Sequence, residues 1–134
     1  MSAREVAERY FNEQTKGNIA GALACFTANA EFVGPMGQLP LPDGVRAYLQ
    51  GFQASFPGNR FEITNVIEGG DQVAIEGFWI GKHTGPLQLP DGTTIPPTNK
   101  EVRAPFVTLL RVQNEKITSH RGYWDMAGFM SALV

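Results

Sequence analysis

Apolar positions recur every three to four residues through the first part of the chain, and the period falls to two after about residue 60. Ser2 and Glu5 have the spacing of a capping box, and Val6, Tyr10 and Phe11 follow at helical intervals, which predicts a helix over about 2–16 closed by Gly17. Asn18 is placed to cap a short second helix carrying Ile19, Leu23 and Phe26, broken by Thr27-Ala28-Asn29-Ala30; residues 30–34 then read as a brief strand. Asp43 is a third N-cap candidate, followed by the stripe Val45, Tyr48, Leu49 and Phe52 up to Pro57, which cannot continue a helix. From Arg60 onward, Phe61, Ile63 and Val66-Ile67 lead into the turn cluster Gly69-Gly70-Asp71, and an extended pattern resumes over 73–84. A second hairpin is predicted over 100–113 and 116–124 around Asn114-Glu115, with a short helix from Met126 to Val134. Three helices ahead of a strand meander argue for an α+β fold, with the helices packed on one face of a strongly curved antiparallel sheet.

The segment Leu-x-Leu-Pro-Asp-Gly occurs at 39–44 and again at 87–92, with different flanks, and is read as reused turn chemistry and not as a repeat. Its second copy lies in a loop of about fifteen residues, Gly85 to Asn99, long enough to be a lid over a site or an arm in a dimer contact.

With 134 residues the chain has room for one domain, 1–134, and its apolar content is that of a protein with a real core. Eleven basic residues against thirteen acidic ones, scattered singly, do not make the coordinated cationic surface that nucleic acid requires. The longest mainly apolar stretch, Ile19 to Phe26, is far too short for a membrane helix, so no membrane partner is expected. The start, Met-Ser-Ala-Arg-Glu, shows no secretory pattern, and a cytoplasmic location is the expectation. Cys25 is the sole cysteine and can close no internal disulfide; on the apolar stripe of the second helix it reads as a small hydrophobe. His83 and His120, the only histidines, come without a ligand-spaced partner, so neither metal nor other cofactor is expected.

Three stretches carry a resemblance: Gly81-Lys82-His83-Thr84-Gly85, then Pro96-Pro97-Thr98-Asn99-Lys100-Glu101-Val102, then Arg111 with Lys116-Ile117 and His120-Arg121-Gly122-Tyr123-Trp124-Asp125, followed by Gly128. Together with the element order they resemble the SnoaL-like polyketide cyclases of the NTF2-like superfamily, which are related to ketosteroid isomerase. The resemblance implies a cone-shaped domain enclosing an apolar cavity, a hydrophobic small molecule as partner, and a homodimer through the outer face of the sheet. It also implies where acids would stand. The ring cyclases carry one after a His-Arg-like pair on the last strand, which falls on Gly122, and a histidine on the neighbouring strand, which falls on Thr108. The isomerase's tyrosine is matched by Tyr10 after Arg9, while its general base falls on Gly34 before Pro35 and its protonated aspartate on Thr108. Fold alone leaves function open, so the remaining residues are weighed one by one.

If Gly122 faces the cavity, strand alternation turns Thr118, His120 and Trp124 the same way. His120 is then either a core histidine bonded to a carbonyl or a group that takes and gives a proton. Tyr10 is either a helix-core tyrosine or an O–H donor to an enolate oxygen. Asp125 is either the N-cap of the last helix or, inside an apolar cavity, a base. His83 either fastens the long loop or orients a ligand. Phe32, Phe52, Trp79, Phe106 and Trp124, with Thr108, supply a wall for a flat, even polycyclic, ligand, or an ordinary core. Arg103 is expected on the outer face. The leading reading is a cyclase or isomerase that removes a proton next to a carbonyl, with His120 or Asp125 as base and Tyr10 as donor. The alternatives are a non-catalytic pocket for a hydrophobic ligand and a dimerisation module.

Overall fold

The computed structural model describes residues 1–89 and 91–134. Helix α1 (Ala3–Thr15) begins as its sequence dictates: the Ser2 hydroxyl accepts from Glu5 N–H at 3.1 Å, and the Glu5 carboxylate accepts from Ser2 N–H at 2.9 Å. This reciprocal cap satisfies two of the helix's orphan donors. The stripe Val6, Ala7, Tyr10 and Phe11 is buried and lays α1 across strands of the sheet. Helix α2 (Ile19–Leu23) is capped by Asn18, whose side chain accepts from Gly21 N–H at 3.0 Å, and it ends before Phe26. Phe26 opens strand β1 (Phe26–Gly34), which starts four residues earlier than its periodicity suggests. The reason lies in the pairing: the register of β1 against the last strand slips between Phe26 and Glu31, so Thr27 to Ala30 bulge out of alternation.

After the two-residue strand β2 (Gly37–Gln38) comes helix α3 (Asp43–Ser55). Asp43 is its first helical residue and not its cap, since the helix is entered from Pro42 without a side-chain cap bond. The Asp43 carboxylate is bonded instead to Arg46 at 2.8 Å, and still lies at the positive end of the helix dipole. Strands β3 (Arg60–Gly69) and β4 (Gln72–Lys82) form the first hairpin, with Gly70 at φ +62° in its turn. The small pair β5 (Leu87–Gln88) and β6 (Thr94–Ile95) folds part of the long loop back on itself; Pro90, inside the second Leu-x-Leu-Pro-Asp-Gly copy, lies outside the described residues. Strands β7 (Glu101–Gln113) and β8 (Lys116–Trp124) make the second hairpin, where Asn114 and Glu115 both take positive φ, as a tight two-residue connection demands. Helix α4 (Met126–Ser131) closes the chain.

The sheet runs β2-β1-β8-β7-β4-β3. It is antiparallel, as expected, in every pairing but one: β1 lies parallel to β8. Central β7 shows the two-sided character directly: Val102, Ala104, Phe106, Thr108, Leu110 and Val112 are buried, while every intervening residue is exposed. Pro105 needs no bulge, because β8 pairing begins only at Phe106 opposite Trp124. Arg103 stands on the outer face as expected, 4.1 Å over the Phe78 ring and 3.0 Å from Glu62. Helices and the inner sheet face meet in two hydrophobic clusters, one around Tyr10, Phe11 and Ile75, the other around Phe56, Val102 and Phe129. No helix among the described residues is long and apolar enough to cross a membrane.

Candidate functional site

Between the inner sheet face and helices α1 and α3 lies a cavity of about 240 Å³. Sheet register assigns its floor. Phe32 on β1 is opposite His120 on β8, and the rings stack at 4.0 Å and 9°. One step along, Gly122 is opposite Thr108 on β7, and one further, Trp124 is opposite Phe106. Tyr10 closes the floor from above, edge-on to His120 with ring centres 5.7 Å apart. Tyr48, Phe52 and Trp79 form a chain of edge-to-face contacts along the α3 side, with Phe52 set against Trp79 at 5.6 Å.

Of the residues nominated from the sequence, Tyr10, Phe32, Phe52, Trp79, Phe106, Thr108, His120 and Trp124 all reach this cavity. So do Gly34 and Gly122. The three positions at which the resemblance places ionisable groups thus share one wall, and here they bear two hydrogens and a hydroxyethyl group.

His120 is only 7% exposed, and its Nδ1 has no hydrogen-bond partner. Burial pulls its pKa from 6.5 down to about 4, against an opposing influence from the carbonyls of Val33 and of His120 itself, so the imidazole is neutral at pH 7. Tyr10 is buried, and desolvation raises its pKa far above the usual phenol range, with the nearby Tyr48 adding to the rise and Gln14 opposing it. Tyr48 is itself pushed up to about 12 by burial. Both phenols stay protonated at neutral pH and remain donors.

Two nominated residues stand outside the cavity wall, and each fills the structural role weighed beside its site role. Asp125 is exposed, caps α4 by accepting from Gly128 N–H at 2.9 Å, and is not among the cavity-lining residues. The chain turns at this point from β8 into α4, and the orphan N–H groups of the new helix claim the carboxylate. His83 is fully buried outside the cavity wall, beneath the long loop. The Thr98 N–H and hydroxyl approach its Nδ1 at 3.2 and 3.0 Å, and its main chain bonds Lys100 and Asn99. Those bonds fasten the 85–99 loop. None of the loop's described residues lines the cavity, and the loop packs at the end of α3, where Ser55 Oγ donates to Pro86 O at 2.9 Å.

Sequence reasoning missed the polar rim. Gln53 Nε2 donates to Gly17 O at 3.1 Å, linking α3 to the α1–α2 junction, and Asn59 Oδ1 accepts from Trp79 Nε1 at 3.0 Å. Gln14, whose Nε2 has no partner, and Tyr48 also line the cavity. Tyr48 was legible, since it precedes Phe52 by one helical turn; Gln53 and Asn59 carried no pattern. The sole charged side chain among the described lining residues is the exposed Lys16. Cys25 is buried just after α2 with its thiol against Gly21 O, away from the lining. Among the described residues no cluster of three metal-ligating side chains occurs.

A family model described as a SnoaL-like domain matches residues 7–120. No functionally curated protein matches the sequence. Among solved structures, a candidate SnoaL-like polyketide cyclase from Jannaschia sp. CCS1 is 21% identical, with 98% of this chain and 90% of that one covered at a TM-score of 0.84. IdmH from Streptomyces antibioticus, a candidate polyketide cyclase, is 17% identical with 99% of both chains covered and a TM-score of 0.83. TerC, crystallised with polyporic acid, is 20% identical, with 98% and 97% covered and a TM-score of 0.75. At these identities the structures testify to the fold.

Proposed function

The chain belongs to the SnoaL-like family, and from that premise we propose that it is a cyclase or isomerase acting on an uncharged hydrophobic small molecule held in the cavity. One observation carries the reading: a neutral, nine-tenths buried imidazole lines an aromatic cavity beside a buried phenol. The His120 imidazole takes the proton from a carbon next to a carbonyl, the electron pair moves into the enolate, and the Tyr10 O–H donates to the enolate oxygen. A base whose conjugate acid has a pKa near 4 is weak in the empty site; the enolate formed beside it is the counter-charge that raises that pKa as the reaction proceeds. In an isomerisation the imidazolium returns the proton to another carbon. In a cyclisation the enolate carbon bonds to a second carbonyl carbon, and the proton goes to the new alkoxide.

The test uses 2-tetralone, a fused-ring ketone with acidic α-hydrogens. Wild type accelerates α-hydrogen exchange in D₂O as read by NMR, and His120→Gln loses the acceleration. Tryptophan quenching by the ketone without any exchange supports the second reading, a binding protein, which the lack of a carboxylate among the described cavity-lining residues favours. TerC's co-crystal with polyporic acid is consistent with a small organic ligand in this fold. Pairing of two copies through the outer sheet face belongs to the same proposal, supported by the exposed Val107, Leu109, Tyr123 and Ile67.

A further inference from the structure

Resting on that reading, we infer that the reacting ring of the substrate lies on a strip of bare backbone formed by Gly34 and Gly122. These two glycines, more than any side chain of the wall, set how many fused rings the cavity admits. Val33 pairs with Arg121, so Gly34 and Gly122 follow side by side on β1 and β8, and Gly122 is opposite Thr108 on β7. The preceding row of the floor holds the stacked Phe32 and His120; the following row holds Trp124 and Phe106. Two aromatic ridges therefore border a trough whose first two positions carry no side chain and whose third carries a buried hydroxyl, 4% exposed.

The protein leaves this trough empty. A Cβ built on Gly34 meets no heavy atom within 4 Å, although the residue lines the cavity. A Cβ on Gly122 would stand 3.2 Å from Cε1 and 3.9 Å from Nδ1 of His120, so the ring edge bearing the unpartnered nitrogen flanks the trough. Water in such a place has few polar partners, whereas a flat ring gains buried apolar area on both faces. An ionised group set there would be desolvated without a counter-charge, because Lys16, the one charged lining residue among those described, is exposed at the rim. The class of ligand that fits is an uncharged fused-ring ketone or phenol whose edge oxygen meets Thr108 and His120.

Trp79 and Trp124 both line the cavity, so their fluorescence reports occupancy. The test titrates 2-naphthol and 2-anthrol into wild type, Gly34→Ala and Gly34→Val. Open space around the Cβ position means Gly34→Ala keeps the wild-type urea midpoint, and the midpoint of Gly34→Val is recorded to show that it folds. Gly34→Val is expected to weaken 2-anthrol about tenfold or more while changing 2-naphthol less than about threefold, with Gly34→Ala between. Wild-type quenching with both probes indifferent to Gly34→Val, or both weakened alike, overturns the assignment of the trough and leaves the functional reading standing. No quenching in wild type overturns that reading, and the trough with it.

Discussion

Acidifying the protein should reveal His120 through stability. The group titrates at 6.5 when unfolded and near 4 when folded, so between those values the unfolded chain binds a proton that the folded one refuses, and stability falls as pH falls. Complete protonation of both states, below pH 4, amounts to about 2.5 pKa units, or roughly 3 kcal/mol lost relative to neutral pH. At pH 4.5 about 2.5 kcal/mol of this has already gone. Exposed carboxylates with lowered pKa values, Glu5, Glu62, Asp91 and Glu115, lose their own contributions as pH falls toward and below the ordinary carboxylate range, at the acid end of the histidine's window, which is why a single titration curve does not isolate the histidine. The comparison is therefore wild type against His120→Gln, by urea denaturation at pH 7.5 and 4.5, where the carboxylate contributions cancel. The stability difference between the two should move by about 2.5 kcal/mol in favour of the variant on acidification. A difference that moves by less than about 0.5 kcal/mol would refute the claim that His120 is held neutral by burial.

Other consequences follow from the same geometry. Tyr10→Phe removes the proposed enolate donor but keeps the ring packing, and should lower the exchange rate with 2-tetralone by about 10²–10³-fold while quenching by the ketone persists. The exchange rate itself should show no limb near pH 6.5, since His120 is deprotonated well below it, and should fall only as pH approaches 4. Asp125→Ala should cost about 1 kcal/mol of stability through loss of the α4 cap, measured by urea midpoint, and leave exchange unaltered. Leu109→Lys places a charge on the exposed outer face and should shift sedimentation from dimer to monomer without changing 2-naphthol binding.

Much of this architecture is written in the chain. The Ser2–Glu5 box, the Gly69-Gly70-Asp71 turn and the strict alternation of β7 each follow from a local rule, and the structure obeys it. Alternation along β8 back from Gly122 also gave the way His120 faces, but the same rule turned Thr118 inward, and there it fails: the β7–β8 register slips by one residue between Arg111 and Val112, so Ile117 takes the buried position and Thr118 is left in the bulge. What failed to show was non-local. The parallel β1–β8 pair and its slipped register depend on where α1 and α2 lead the chain, which no window of residues records. The same holds for His83: its Gly-x-His-Thr-Gly string marks a strand end, but only folding brings Thr98 and Lys100 onto it. Asp125 had two roles open, and the competition between a cavity and a helix N-terminus is decided by a backbone turn of a few residues. Gln53 and Asn59 answer to partners on other elements, so their rim position had no signature in the sequence.

The central claim is that a flat, uncharged ligand sits against the neutral imidazole of His120. Long-range ¹H–¹⁵N spectra of the histidine rings, recorded at pH 7 with and without saturating 2-naphthol, test it most directly. The account predicts a neutral His120 ring whose nitrogen shifts move on binding while those of His83 stay fixed. A charged His120 ring, or unmoved His120 shifts under tryptophan quenching that proves the ligand bound, would contradict it.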